Sequence, residues 1–169
     1  MVDEQAFRAA LGRFVSGVTV VTTRSEGIDH AMTASAFTSV SLDPPQVLLG
    51  VHVINRFHDA VIDSGRWAVS ILSQSAEPAA TNFAKRGRDL LTQFDSVEHE
   101  RTESGLIRIH PALAWLDCET VQVVTAGDHS MLIGAVISAE VNEDHNDPLV
   151  YYRSHYGGLI PSNRSEKDE

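Results

Sequence analysis

Apolar segments rich in β-branched residues dominate the chain and predict more strands than helices. They follow one another in consecutive runs instead of alternating regularly with helices. This order favours a mainly β, mostly antiparallel barrel with a few short covering helices over a doubly wound sheet. The segments that predict strands are 17–23, 30–42, 46–53, 66–73, 112–126, 128–142 and 148–153.

Three segments between these strands predict helices. The first begins after Asp3, its expected N-cap, and the second runs from Asn55 as N-cap to Gly65 as its C-terminal stop. A third helix is predicted within 75–87. Segment 89–111 is charged and has no clear period, so it receives no assignment.

The length of 169 residues suits one domain with one core. No repeat or linker divides the chain, so we expect one domain over 1–160 and a flexible tail over 161–169. The single cysteine, Cys118, has no partner for an internal disulfide, and its apolar surroundings predict a buried, inert thiol. The acidic start and the absence of a long apolar run lead us to expect a cytoplasmic protein without a membrane partner.

Charge and missing motifs narrow the classes of function. A net charge of −10 argues against a nucleic-acid partner, because a duplex surface needs a basic stripe. Neither GxGxxG nor GxxxxGK[ST] is present, so no Rossmann or P-loop nucleotide site is predicted. The eight histidines are scattered without HExxH spacing, and no metal site is predicted. The expected partners are small molecules or other proteins.

Segment 30–42 has the length of a strand but is rich in small and hydroxyl residues. Thr33, Ala34, Ser35 and Ser39 would let a flat ligand approach the main chain, while hydroxyl and backbone groups bind its polar edge. The same residues would also suit the exposed face of a half-buried strand, with alanine filling tight packing. The pattern alone leaves both interpretations open.

Several motifs occur in a fixed order between Phe7 and Leu159. They are 12–23, 32–51, 55–73, 82–87, 114–119, 126–136 and 148–159. Taken together, they resemble the short-chain flavin reductase family. The resemblance implies a split β-barrel that binds FAD or FMN and uses NADH or NADPH to reduce it. It also implies hydride transfer from nicotinamide C4 to flavin N5, a homodimer, and a separate flavin-dependent monooxygenase that receives reduced flavin by diffusion.

The resemblance also implies where the flavin binds. The small-residue strand would lie along the ring and the ribityl chain, with Thr33, Ala34 and Ser35 as first contacts. Asn55 and Arg56 follow a strand and open a helix, where backbone N–H groups meet a phosphate in this family, although Asn55 alone is also an ordinary N-cap. The remaining cofactor-binding residues implied are Ser39, Phe83, Ala84, Lys85, Asp128 and Tyr156.

His129 is the implied catalytic residue. It begins a strand in which His129, Met131 and Ile133 share one face by the two-residue period. A lone histidine in such a place is more often a core or surface residue. The resemblance implies instead that His129 contacts the nicotinamide and that Asp128 fixes its tautomer.

The identity of the cofactors is less constrained. Lys85, Arg86 and Arg88 favour FAD slightly over FMN, because cations could meet an extra phosphate, although a basic pair after a helix also complements its dipole. NADH is favoured over NADPH only by its frequency in the family. Two other functions fit the same fold: a non-enzymatic flavin-binding electron carrier and a flavin-free ligand-binding barrel.

Overall fold

The computed structural model describes residues 2–144 and 147–159. The expected tail over 161–169 lies outside the described residues. Residues 2–144 and 147–159 contain three α-helices, α1 (Glu4–Leu11), α2 (Arg56–Ser64) and α3 (Glu77–Ala84), with a short 3-10 helix at Gln74–Ala76. The strands are β1 (Ser16–Gly17), β2 (Thr19–Ser25), β3 (Ile28–Ala34), β4 (Phe37–Leu42), β5 (Pro45–His52), β6 (Arg66–Leu72), β7 (His99–Arg101), β8 (Ile107–Ile109), β9 (Ala112–Ala126), β10 (His129–Val141), β11 (Val150–Tyr152) and β12 (His155–Gly157).

The strands form one large antiparallel sheet with the order β3-β2-β6-β9-β10-β5-β4. A second sheet has the order β1-β11-β12, and β7 pairs with β8. The prediction of a mainly β, antiparallel fold is therefore confirmed. Within the described ranges, no helix is long and apolar enough to cross a bilayer.

The prediction of one continuous strand over 30–42 was wrong. The segment forms two strands, β3 and β4, which lie at opposite ends of the order of the large sheet. Only Ser35 and Ala36 separate them, and the Ala36 carbonyl accepts a hydrogen bond from the Gly50 N–H at 2.8 Å. Because so short a link spans at most about 10 Å, the sheet must curl until its two ends approach each other.

Two clusters of buried side chains fill the curled sheet. One joins β2 to α3 and β8, and it includes Val20, Phe83 and Ile109. The other joins the large sheet to α2, and it includes Phe57 and Trp67. Because α2 and α3 each pack one face into these clusters, the packing fixes where the ends of the two helices lie.

The helix signals in the sequence are confirmed. Asp3 accepts a hydrogen bond from the Ala6 N–H at 2.7 Å, and the Asn55 side chain accepts one from the Phe57 N–H at 3.0 Å. Gly65 ends α2 with a φ of 65°, a conformation that glycine adopts without steric cost. The unassigned segment 89–111 contains only the β7–β8 hairpin and turns.

Candidate active site

Two clefts meet at Ala84, at the C-terminal end of α3. The first has a volume of about 350 Å³ and the second about 190 Å³. The first cleft is lined by His52, Ile54, Asn55, Arg56, Phe83, Ala84, Lys85, Arg86, Gly87 and Arg88. The second cleft is lined by Val18, Thr33, Ser35, Ala84, Tyr151 and Tyr156. Eight residues predicted from the sequence to contact a cofactor therefore lie in one connected pair of clefts.

The second cleft is small and has hydroxyl groups on its wall. Thr33 Oγ1 donates a hydrogen bond to the Ala80 carbonyl at 2.6 Å, which ties β3 to α3 and leaves the hydroxyl oxygen free to accept. The rings of Tyr151 and Tyr156 lie 5.4 Å apart. Burial, with smaller contributions from Tyr151 and Glu77, raises the pKa of Tyr156, which therefore stays a neutral phenol. Such a wall suits a planar ligand with polar edges.

Ala34 and Ser39 line neither cleft. Because side chains alternate along β3, Thr33 faces the cleft while Ala34 packs into the core against β2, with 6% of its surface exposed. Ser39 is exposed on β4, where it pairs with Val47 of β5. The structure thus separates these two residues from the others predicted on the same segment.

The first cleft is strongly cationic. Four of the side chains that line it are cations, Arg56, Lys85, Arg86 and Arg88, and none of its ten residues is acidic. Burial and then the charge of Arg56 lower the pKa of Arg88, and the same two causes lower the pKa of His30, partly offset by Asp29. Positive charges therefore repel one another here, and an anion in this cleft would relieve that repulsion.

The Arg88 guanidinium binds the main chain. Nη1 donates to the carbonyls of Phe83, at 2.8 Å, and of Lys85, and Nη2 donates to the Ala31 carbonyl at 2.7 Å. The guanidinium thus joins the loop after α3 to β3. With both terminal nitrogens engaged, Arg88 shapes the cationic loop, and Arg56, Lys85 and Arg86 remain the cations available to a phosphate.

Asn55 lies where β5 passes into α2, as the sequence predicted. Its side-chain oxygen caps the helix through the Phe57 N–H, and its nitrogen lies 3.7 Å from the sulfur of Met32. Asn55 therefore caps α2 and also lines the first cleft. The positive end of the α2 dipole lies at this point and would favour an anion in the first cleft.

His129 and Asp128 lie beside the first cleft without lining it. His129 Nδ1 lies 2.7 Å from Asp128 Oδ1, and this hydrogen bond is the main cause that lowers the pKa of Asp128. The face of β10 with His129, Met131 and Ile133 is only half-buried, whereas the opposite face with Ser130, Leu132 and Gly134 is the buried one. The two-residue period was right, but the core lies on the other side of the strand.

His52 is a residue of this region that the sequence did not indicate. It ends β5, lines the first cleft, and its ring lies 4.8 Å from that of His129. The two histidines are paired in the register of β5 and β10. Sequence spacing gave no signal, because 77 positions separate them in the chain and only strand pairing brings them together.

Comparison with known proteins identifies the family. The profile of the flavin reductase like domain matches residues 11–159. This chain belongs to the flavin reductase like domain family. An NADH-dependent flavin reductase of Rhodococcus sp is 37% identical, over 94% of this chain and 88% of that protein. The reductase subunit HsaB of a flavin-dependent monooxygenase of Mycobacterium tuberculosis is 32% identical, over 95% of this chain and 84% of its own length.

A solved structure extends the similarity to three dimensions. The Streptomyces globisporus NADH:FAD oxidoreductase SgcE6, in complex with NAD and FAD fragments, has a TM-score of 0.88 to this chain. It is 33% identical, over 96% of this chain and 98% of that one. All residues lining both clefts lie inside the matched flavin reductase like domain.

The clefts of this flavin reductase like domain fit the ligands that its name implies. The cations of the first cleft suit a diphosphate, and the small, hydroxyl-bearing second cleft suits a planar ring. Among residues 2–144 and 147–159, no group of three His, Cys, Asp or Glu side chains could hold a metal ion.

Proposed function

We propose that this protein is an NAD(P)H-dependent flavin reductase. The observation that carries the proposal is the connected pair of clefts, one small and neutral and the other cationic, within a flavin reductase like domain. The bound cofactors would supply the chemistry, a hydride passing from nicotinamide C4 to flavin N5. The task of the protein is to align the two ligands and to exclude water between them.

The residues divide this task between the two clefts. Thr33 and Ser35 offer hydroxyl groups to the polar edge of a ring, and Tyr156 closes the same cleft with a neutral phenol. Arg56 and Lys85 bind phosphate oxygens at the N-terminus of α2 and in the loop after α3. His129, with its proton on the nitrogen that faces Asp128, presents its other ring nitrogen to the nicotinamide side.

We further propose FAD as the preferred flavin and NADH as the preferred reductant. Three cations remain available in the first cleft after Arg88 is committed to the main chain, and a diphosphate uses more of them than a single phosphate does. The names of two similar proteins, an NADH-dependent flavin reductase and an NADH:FAD oxidoreductase, support the same choice. The name of the reductase subunit HsaB supports a separate monooxygenase that accepts the reduced flavin.

The protein is proposed to be a homodimer with a split β-barrel fold. The curl imposed by the two-residue link between β3 and β4 supports the barrel. The dimer is supported by apolar surface that one copy leaves uncovered, because α1 buries none of its residues and large apolar side chains stay exposed on β4, β9 and β10. These side chains are Phe7, Leu11, Val40, Leu42, Val121, Val123, Ile137 and Val141.

Light scattering after gel filtration tests the dimer. We expect twice the mass of the chain for the wild type and a shift to monomer when Val121 and Ile137 are both replaced by Asp. A wild-type monomer at micromolar concentration would contradict the proposal.

The single unpaired cysteine, Cys118, supports a reducing compartment and hence a cytoplasmic location.

Initial rates of NADH and NADPH oxidation, with no flavin, FMN or FAD added, test the enzyme. We expect flavin-dependent oxidation that is fastest with NADH and FAD. Arg56→Gln should raise the FAD concentration needed for half-maximal rate, while Arg66→Gln, a matched change of an exposed arginine outside both clefts, should not. A protein that retains flavin through gel filtration but does not turn over added flavin would instead be an electron carrier.

A further inference from the structure

We propose that His52 is a positioning residue that holds the Asp128–His129 pair against the wall of the cationic cleft. The inference rests on the proposed function, because it assigns to His52 a role in binding the nicotinamide nucleotide. His52 lines the first cleft together with Arg56, whereas His129 does not. It is therefore the side chain that joins the phosphate-binding region to the nicotinamide side.

The main chain fixes where His52 and Asp128 lie. His52 and His129 are register partners at the ends of β5 and β10. One residue further on, the Val53 N–H donates to the Asp128 carbonyl at 3.0 Å, and the Asn55 N–H donates back to the His52 carbonyl at 2.9 Å. The end of β5, the start of β10 and the N-cap of α2 are thus held in one hydrogen-bonded unit.

A main-chain hydrogen bond gives His52 one tautomer. The Ile54 N–H donates to His52 Nδ1 at 3.2 Å, so Nδ1 is an acceptor and a neutral ring carries its proton on Nε2. Nε2 lies 3.5 Å from Asp128 Oδ2, and the other oxygen of the same carboxylate lies 2.7 Å from His129 Nδ1. One carboxylate therefore faces both histidines.

Removing His52 would leave the pair with little support. The Asp128 side chain is 73% exposed and the His129 side chain 44% exposed, so water has access to both. Apart from each other, their neighbours in this cluster are the ring and Nε2 of His52. Without them, the Asp128–His129 pair would sample several rotamers, and a ligand would have to order it on binding.

Steady-state kinetics of His52→Phe tests the proposal. Phenylalanine keeps a ring beside His129 but removes both nitrogens. We expect KM for NADH to rise about tenfold, within the range of coupling between contacting residues, and to change more than kcat or flavin affinity does. His110→Phe is the matched control, because His110 also has a carboxylate at 3.5 Å, that of Glu100, and an aromatic ring at 4.9 Å, but it lines neither cleft.

A double-mutant cycle separates positioning from general destabilisation. If His52 acts through His129, His52→Phe should add nothing to the KM increase caused by His129→Ala. Additive increases, an unchanged KM in His52→Phe, or an equal change in His110→Phe would each overturn the proposal. Rescue by His52→Gln, whose amide can still donate to Asp128, would support it.

Nitrogen NMR of the imidazole rings tests the same contact without turnover. In the ligand-free wild type we expect His129 to carry its proton on Nδ1, and in His52→Phe we expect its two ring nitrogens to shift toward an averaged pattern. An unchanged His129 signal would overturn the inference even if the enzyme is active. A wild type with no flavin-dependent NADH oxidation would overturn the proposed function instead, and the NMR comparison would still decide the contact.

Discussion

Replacement of Arg88 by lysine tests whether one side chain shapes the cationic loop. Arg88 reaches three carbonyls, of Phe83, Lys85 and Ala31, with two nitrogens of a planar fork. The single ammonium of a lysine keeps the charge but cannot reproduce that geometry. We expect Arg88→Lys to weaken both the stability of the fold and the affinity for FAD.

The contacts set the expected size of the effect. Hydrogen bonds from a charged donor contribute about 1.5–3 kcal/mol each, and a lysine would lose roughly two of the three. Because Arg88 is only half-buried, water replaces part of this, and we expect a loss of about 2 kcal/mol in the free energy of unfolding. For a chain of this size that corresponds to a Tm lower by about 4–8 °C.

Urea denaturation and FAD titration measure the two effects separately. FAD would have to order the loosened loop, so we expect its Kd to rise about tenfold, or roughly 1.4 kcal/mol. Arg86→Lys is the control for stability, because the Arg86 side chain makes no hydrogen bond or ion pair with another described residue. An Arg88→Lys variant with the denaturation midpoint and the FAD affinity of the wild type would refute the reasoning.

Three further experiments test the packing of the buried residues. Gly134→Ala should lower the free energy of unfolding by about 1–3 kcal/mol in urea, because its Cβ would lie 2.4 Å from the buried ring of Trp67. Ala34→Leu should lower Tm because it overpacks the core, while the folded protein still binds flavin normally. Normal stability together with lost flavin binding would instead place Ala34 against the flavin ring. Burial, with a smaller contribution from Asp117, raises the pKa of Cys118 to about 12, so a disulfide reagent at pH 8 should react slowly until the protein is unfolded.

The sequence predicted the elements best where one signal governs them. Segment 112–126 matches β9 from Ala112 to Ala126, because a largely apolar run that ends in β-branched residues lies between a proline and a glycine. Side-chain caps placed α1 and α2 for the same local reason. Segment 30–42 was misjudged because its break at Ser35 and Ala36 serves the curl of the sheet, which depends on partners far along the chain.

Only some of the residues that the sequence predicted for the site line the two clefts. Thr33 and Ser35 face the second cleft, but Ala34 between them does not, since the two-residue period of β3 turns it into the core. The resemblance named the segment, and the pleat of the strand decided which members of it can touch a ligand. Arg88 likewise lies at a cleft without being available to a ligand, because its terminal nitrogens donate to main-chain carbonyls.

His52 was missed by sequence reasoning for a physical reason that also explains how the site is built. His52, the Asp128–His129 pair and the loop after α3 come from segments far apart in the chain, and strand register and helix packing bring them together. The β5–β10 register sets which residue stands beside His129, so a slip of one residue would place Val51 or Val53 there and turn His52 to the other face. The place of His52 beside the Asp128–His129 pair therefore depends directly on the register of the sheet.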